Sequence, residues 1–319
     1  MADRLIDVRS TCDRVTRAAR FVRIDEQAVR RWAHRRHDHR SPSEAASLAG
    51  FAGSRDEIAN LILLVDALNF CFWSAQPISI RRDAARLERY TAFAALLASA
   101  AESDRRWLDA GFWTEMTRTH FENILRCEGE LLLIDERVAV LRETGETLST
   151  RYDGRFANAV EAGGNQASGL VSLLCEEFPS FRDAATYDGE PVWFLKRAQI
   201  CSADLGLAWS RRDYGTLTGL ERLTAFADYR VPQTLRQIGI LVIDAGLADR
   251  INRAEEIPAG GPEEVELRAA TITAVEHMAQ ALAANGQPAD AWRIDFLLWE
   301  ASHDASIGIE HHRTLTIYY

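Results

Sequence analysis

Cysteine is scarce and scattered. Cys12, Cys71, Cys127, Cys175 and Cys201 include no CxxC pair, and their number is odd. That pattern excludes a paired disulfide framework and a cysteine-rich zinc site, and reads as free thiols in a reducing compartment. Long apolar runs are missing too. The longest, Leu61 to Trp73, is interrupted by Asp66 and Asn69 and is too short and polar to span a bilayer. Met1-Ala2-Asp3-Arg4 mixes charges and has no apolar core of a secretory leader, so the expectation is a soluble, cytoplasmic protein without a membrane partner. There is no Gly-rich phosphate loop, HExxH or GxSxG nucleophile elbow, and no fixed-period repeat. Positive charge is in deficit: 37 basic against 47 acidic residues leave a formal net charge of -10. Proteins that bind duplexes present a basic face, so this balance argues against nucleic acid as the main partner. Arginine greatly outnumbers lysine.

What is abundant is helical periodicity. Ile58, Leu61, Ile62, Val65, Leu68 and Phe72 recur at spacings of three and four, which predicts a helix over 56–73 opened by Asp56 and Glu57. Further helices are expected near 83–101, 116–126, 129–142, 155–177, 191–211, 232–246, 262–284 and 289–303. Strand signals are limited to 76–80 and 313–318. The fold class is therefore predominantly α with a few short β-strands. It is read as one domain over 1–319, in which residues 1–50 are a candidate helical N-terminal lobe.

Several constellations carry chemistry. Phe226-Ala227-Asp228-Tyr229-Arg230-Val231 precedes Pro232, a residue suited to the first position of a helix, with Val231 expected to be extended. Asp228 then sits near a helix N-terminus, where unpaired N–H groups favour negative charge. It is either a simple cap or a carboxylate poised against a developing cation. Lys196 and Arg197 fall in an apolar segment and need anionic partners, as a structural ion pair or as an anion site. On a helix, Asp295 shares a face with Trp299, and Phe296 shares the neighbouring one with Glu300. These four residues make either a core helix with one satisfied acid or an acidic, aromatic binding face. Asn69, Phe70, Phe72 and Trp73 form an aromatic cluster at the end of the first long helix. His34, His37 and His39 alternate with arginines that repel a cation, so no metal site is expected there.

Six segments, in order, resemble one family, the queuosine salvage proteins (queuosine 5′-phosphate N-glycosylases/hydrolases). They are Leu68–Trp73, Phe178–Asp183, Phe194–Ile200, Phe226–Gln233, Glu264–Arg268 and Tyr318-Tyr319, and they span the chain from about position 55 onward. The resemblance implies hydrolysis of the N-glycosidic bond of queuosine 5′-monophosphate to queuine and ribose 5-phosphate, without metal or organic cofactor. It implies Asp228 as the catalytic carboxylate, with Phe226, Ala227, Tyr229 and Arg230 around the substrate and Lys196 near the sugar-phosphate. Asp295, Phe296 and Glu300 would hold the base, and Asn69 with Phe70 or Trp73 would supply a stacking ring. Queuine is a 7-deazaguanine, with no N7 to protonate. Its side arm carries a secondary amine, cationic at neutral pH, which suits an acidic pocket. An aspartate beside a helix start with a lysine upstream also resembles helical DNA glycosylases, so a DNA base-excision enzyme is the runner-up. A non-catalytic helical adaptor is the third reading; it requires Asp228 and Asp295 to lie apart.

Overall fold

Side chains that accept backbone N–H groups mark the first helix starts. Asp3 caps α1 (Arg4–Ala18), and Asp25, after β1 (Val22–Ile24), caps α2 (Glu26–Ala33). Ser54 and Glu57 form a reciprocal capping box at α3 (Arg55–Ala67). The computed structural model describes residues 3–35, 51–82, 85–125, 127–303 and 307–319. A hairpin of β2 (Ser79–Arg82) and β3 (Ala85–Glu88) leads into α4 (Arg89–Ser103). Five helices follow: α5 (Ala110–Thr114), α6 (Arg118–Ile124), α7 (Ile134–Tyr152), α8 (Phe156–Ala162) and α9 (Ala167–Glu177). A second hairpin, β4 (Ala184–Tyr187) and β5 (Glu190–Trp193), precedes α10 (Lys196–Arg212) and α11 (Arg230–Gln237). The last elements are β6 (Leu241–Ile243), α12 (Ala245–Asn252), α13 (Pro262–Ala284) and α14 (Ala291–Ala301).

Among the described residues the fold is thus fourteen α-helices with three two-stranded antiparallel ribbons. It is a single, predominantly α domain. None of these helices is long and apolar enough to cross a membrane. The core centres on α13, which is buried without a break from Glu264 to Val275 and packs against α1, α2 and α14. Its polar residues are satisfied in place. Glu266 accepts the backbone N–H groups of Arg20, Phe21 and Val22 and the hydroxyl of Tyr187 at 2.6–3.1 Å. That carboxylate ties the turn after α1 into the core, and β1 then pairs antiparallel with β6.

Several boundaries differ from the periodicity. The 56–73 helix ends at Ala67, because Arg137 is buried beneath it and donates to the carbonyls of Leu68, Phe70 and Cys71. Those oxygens need no further helical turn. The 155–177 run is two helices, divided at Gly163 and Gly164. The 191–211 run begins as strand and turns helical only after Leu195, which adopts φ +55°. The 232–246 helix starts earlier, at Arg230, so Val231 is helical rather than extended and Pro232 is the third helical residue. It stops at Gln237 because Gly239 takes φ +75° and the strand Leu241–Ile243 pairs with β1. Residues 313–318 are not a strand. They run as irregular chain, with Thr314 buried and Leu315 exposed, and the Thr314 carbonyl accepts the Trp73 indole N–H at 3.2 Å. The 76–80 expectation is met in part by β2.

Candidate active site

Asp228 is buried at the start of α11, and its Oδ1 accepts the N–H groups of Arg230 (2.7 Å) and Val231 (2.9 Å). Pro232 has no N–H to add, so two bonds satisfy the first turn and fix the carboxylate. Both bonds converge on Oδ1, which leaves Oδ2 for the cavity that the residue lines. The loop ahead of it is anchored twice. Arg268 donates Nε to the Ala227 carbonyl at 3.1 Å, and Asp295 Oδ1 accepts the Phe226 N–H at 2.9 Å.

Lys196 opens α10 from the opposite wall. Its backbone N–H bonds Asp183 Oδ2 at 3.0 Å, and Asp183 is clamped bidentately by Arg268 at 2.8 and 2.6 Å. One buried ion pair therefore places both the lysine helix and the aspartate loop. The Lys196 ammonium donates to the Asn69 carbonyl (3.0 Å) and Asn69 Oδ1 (3.3 Å). Burial pushes its pKa down to about 8, against the opposing pull of Asp228, Asp66 and Asp295. The sequence holds this one lysine among its 37 basic residues. A guanidinium stays charged in any protein setting, whereas a buried ammonium titrates in the neutral range, so the two are not interchangeable here.

Asp295 is buried on α14. Burial, and then the negative charge of Asp228, hold its pKa well above the usual carboxylate range, which favours its protonated form. Two carboxylates in one cavity thus have environments that separate their roles, a pattern typical of acid and base pairs. The cavity measures about 300 Å³ and is mainly aromatic and aliphatic. Trp292, Asp295, Phe296 and Trp299 present one stripe of α14 to it, and Phe72, Tyr90 and Tyr229 close other sides. Tyr319 closes a further wall, with its hydroxyl on Glu264 at 2.8 Å and its carbonyl accepting the Cys71 N–H at 2.9 Å.

The model of the queuosine salvage protein family matches residues 51–319. The chain belongs to the queuosine salvage protein family. It is 44% identical over 319 residues to the queuosine 5′-phosphate N-glycosylase/hydrolase of Sphaerobacter thermophilus, covering 99% of this chain and 98% of that protein. The Dictyostelium discoideum protein of the same name is 36% identical over 265 residues, covering 82% of this chain and 78% of its own. The Mus musculus protein, again of that name, is 30% identical over 282 residues, covering 84% and 83%.

Of the residues singled out in the sequence, Asp228, Phe226, Tyr229, Lys196, Asp295, Phe296 and Asn69 line one cavity. Asp228 and Asp295 do not lie apart, as an adaptor requires. Ala227 is buried behind the lining, and Arg230 turns to Gln233 at 3.2 Å. Phe70 and Trp73 lie outside the lining. Phe70 is buried between the guanidinium groups of Arg137 and Arg197, at 4.2 and 5.2 Å, and Trp73 is held by Thr314. Phe72 is the ring of that segment that reaches the cavity, because the backbone leaves the helix at Leu68 and the helical facing no longer applies. Glu300 is exposed, one residue past the cavity-facing stripe of α14. Arg197 donates to the carbonyls of Ala67 and Ser180 and is structural.

Asp204 and Tyr90 line the cavity without having been singled out. Helical spacing could have flagged Asp204, which is eight residues after Lys196 and also on the cavity-facing side of α10. Nothing local pointed to Tyr90, which reaches the cavity from a separate helix. Among the described residues, no group of three or more His, Cys, Asp or Glu is placed to hold a metal ion. His37 and His39 lie outside the described residues.

Proposed function

We propose that this chain hydrolyses the N-glycosidic bond of queuosine 5′-monophosphate, releasing queuine and ribose 5-phosphate in the salvage of queuine for tRNA modification. The observation that carries this reading is that Asp228 and Asp295, the latter with its pKa raised by burial, line one aromatic cavity, in a chain 44% identical over its length to a protein named for that activity. In this reading the C1′–N bond breaks with its electrons leaving on the base. The Asp228 carboxylate faces the cationic character that develops at C1′. The oxygen of a water then joins C1′, and its proton balances the charge on the base. Asp295, buried and shifted toward its protonated form, offers a hydrogen bond to the departing deazapurine, which has no N7 to receive a proton. Lys196, held by Asn69 and facing the carboxylates, stands near the sugar-phosphate. The flat base lies among the rings of Phe72, Tyr229, Phe296 and Trp299.

We assign residues 1–319 to one catalytic unit acting on a small molecule in the cytoplasm, with no nucleic acid or membrane as partner. The test is product release from queuosine 5′-monophosphate by wild type and Asp228→Asn, with guanosine monophosphate and queuosine nucleoside as controls. Removing the charge stabiliser is expected to lower turnover on the order of 100-fold or more. No queuine from the wild type overturns the reading. Release that survives the substitution keeps the substrate and moves the role to Asp295.

A further inference from the structure

The only lysine in the chain lies in the cavity wall, 4% exposed, at the first position of α10. Lysines are ordinarily surface residues, so solubility does not account for this one. Among the described residues its Nζ has two hydrogen-bond partners, both on Asn69: the backbone carbonyl at 3.0 Å and Oδ1 at 3.3 Å. The nitrogen is tetrahedral. One position is the bond to Cε, and two are directed at the Asn69 oxygens. The remaining position carries the third proton in the ammonium form and a lone pair in the amine form. Asn69 therefore satisfies every N–H of the neutral amine and leaves the lone pair for a ligand. Burial brings the Lys196 pKa down to about 8, so about a tenth is free amine at pH 7, against roughly 0.03% for an ordinary lysine.

The proposed reaction delivers an electrophile to the same cavity. Hydrolysis leaves a hydroxyl on C1′, and a sugar hemiacetal of that kind opens to an aldehyde at the same carbon. Asp228, the carboxylate assigned to C1′, is also the strongest single charge acting on Lys196, and both side chains line the cavity. A desolvated amine beside an aldehyde carbon is the arrangement from which Schiff bases form.

We infer that Lys196 is a covalent capture site for the released sugar phosphate, its amine condensing with C1 of the open-chain aldose to give a reversible imine. The inference rests on the proposed function for the identity of the sugar. The Nζ lone pair forms the new bond to C1 as the carbonyl π electrons move to oxygen. One proton passes from nitrogen to that oxygen, and the carbinolamine then loses water to leave a C=N bond. No oxidant or reductant takes part, and water reverses the step. Ribose 5-phosphate is thus a covalent inhibitor of the enzyme that releases it, whereas ribitol 5-phosphate, which has no aldehyde, competes only by occupying the site.

The experiment is reductive trapping. Wild type is incubated with ribose 5-phosphate and cyanoborohydride at neutral pH, and the digest is read by mass spectrometry. The peptide containing Lys196 is expected to gain the mass of ribose 5-phosphate less one oxygen. The gain should saturate with sugar concentration and be blocked by ribitol 5-phosphate, with the α-amino group as the unselective reference in each digest. Trapping at Lys196 should be on the order of 100-fold faster than in chain unfolded by denaturant, the ratio of the free-amine fractions. No adduct on Lys196, an adduct that forms as fast in unfolded chain, or one that ignores ribitol 5-phosphate overturns the inference. The measurement uses no variant, so a folding defect does not enter it. Queuine release from queuosine 5′-monophosphate is followed in parallel. Release without a Lys196 adduct sinks only the inference. An adduct without release keeps the lysine chemistry and sinks the functional reading, and the absence of both sinks both.

Discussion

The single lysine and its three acidic neighbours set opposite pH trends for activity and stability. Lys196 has a pKa lowered to about 8 from 10.5 by burial. If its positive charge serves the reaction, kcat/KM falls as pH rises through about 8. Stability moves the other way. The folded pKa lies below the unfolded one, so between about 8 and 10.5 the unfolded chain binds the extra proton, and this residue's contribution to stability rises with pH. Rate profiles and denaturant unfolding over that range should diverge in wild type, and Lys196→Gln should flatten both. Profiles that run together would place the titration elsewhere. Because no other lysine exists, an amine-directed reagent should modify Lys196 alone apart from the α-amino group, and queuine should protect it. Mass spectrometry of the labelled peptide reads this directly.

At the scale of elements, the site depends on pairs that join segments distant in sequence. Asp183 and Arg268 are both about 3% exposed and hold the start of α10 and the Ala227 carbonyl together. Breaking a buried pair by removing one partner costs roughly 3–5 kcal/mol, so Arg268→Met should lower the unfolding midpoint sharply and loosen substrate binding in whatever remains folded. Replacing the exposed Arg118, paired with Glu122 and Asp135, should change stability by less than about 1 kcal/mol. The packing of α5 on α7 supplies a second prediction. A Cβ on Gly145 would lie 2.6 Å from the Ala110 carbonyl oxygen and 2.8 Å from the Trp113 Cβ. Backbone cannot yield there as a flexible side chain does, so Gly145→Ala should cost roughly 1–3 kcal/mol by thermal unfolding without altering the cavity. The periodicity foretold α3, α10, α13 and α14 because apolar residues recur along them at spacings of three and four. It overran α3 and α11 because their ends are set by Arg137 and by the β1–β6 ribbon, partners remote in sequence.

Across the whole molecule, Glu266 is the fastening of the N-terminal segment. Its carboxylate collects three backbone N–H groups and one hydroxyl, so Glu266→Ala leaves several buried donors unpaired. Stability should fall by roughly 3 kcal/mol or more, and hydrogen exchange should quicken at residues 20–24 first. Equal quickening through α13 would mean that the segment and the core unfold as one unit. The sequence by itself determined the helical class and the family, and singled out Asp228, Lys196 and Asp295 as candidate site residues, because periodicity and short motifs are local. Tertiary structure decided that Phe72 and not Phe70 or Trp73 reaches the cavity, and that Asp204 rather than Glu300 is its further acid. It also decided that Asp295 is buried beside Asp228, with its pKa raised. Those properties depend on which helices meet and on how much water their meeting excludes, and neither is written in the spacing of residues along one chain.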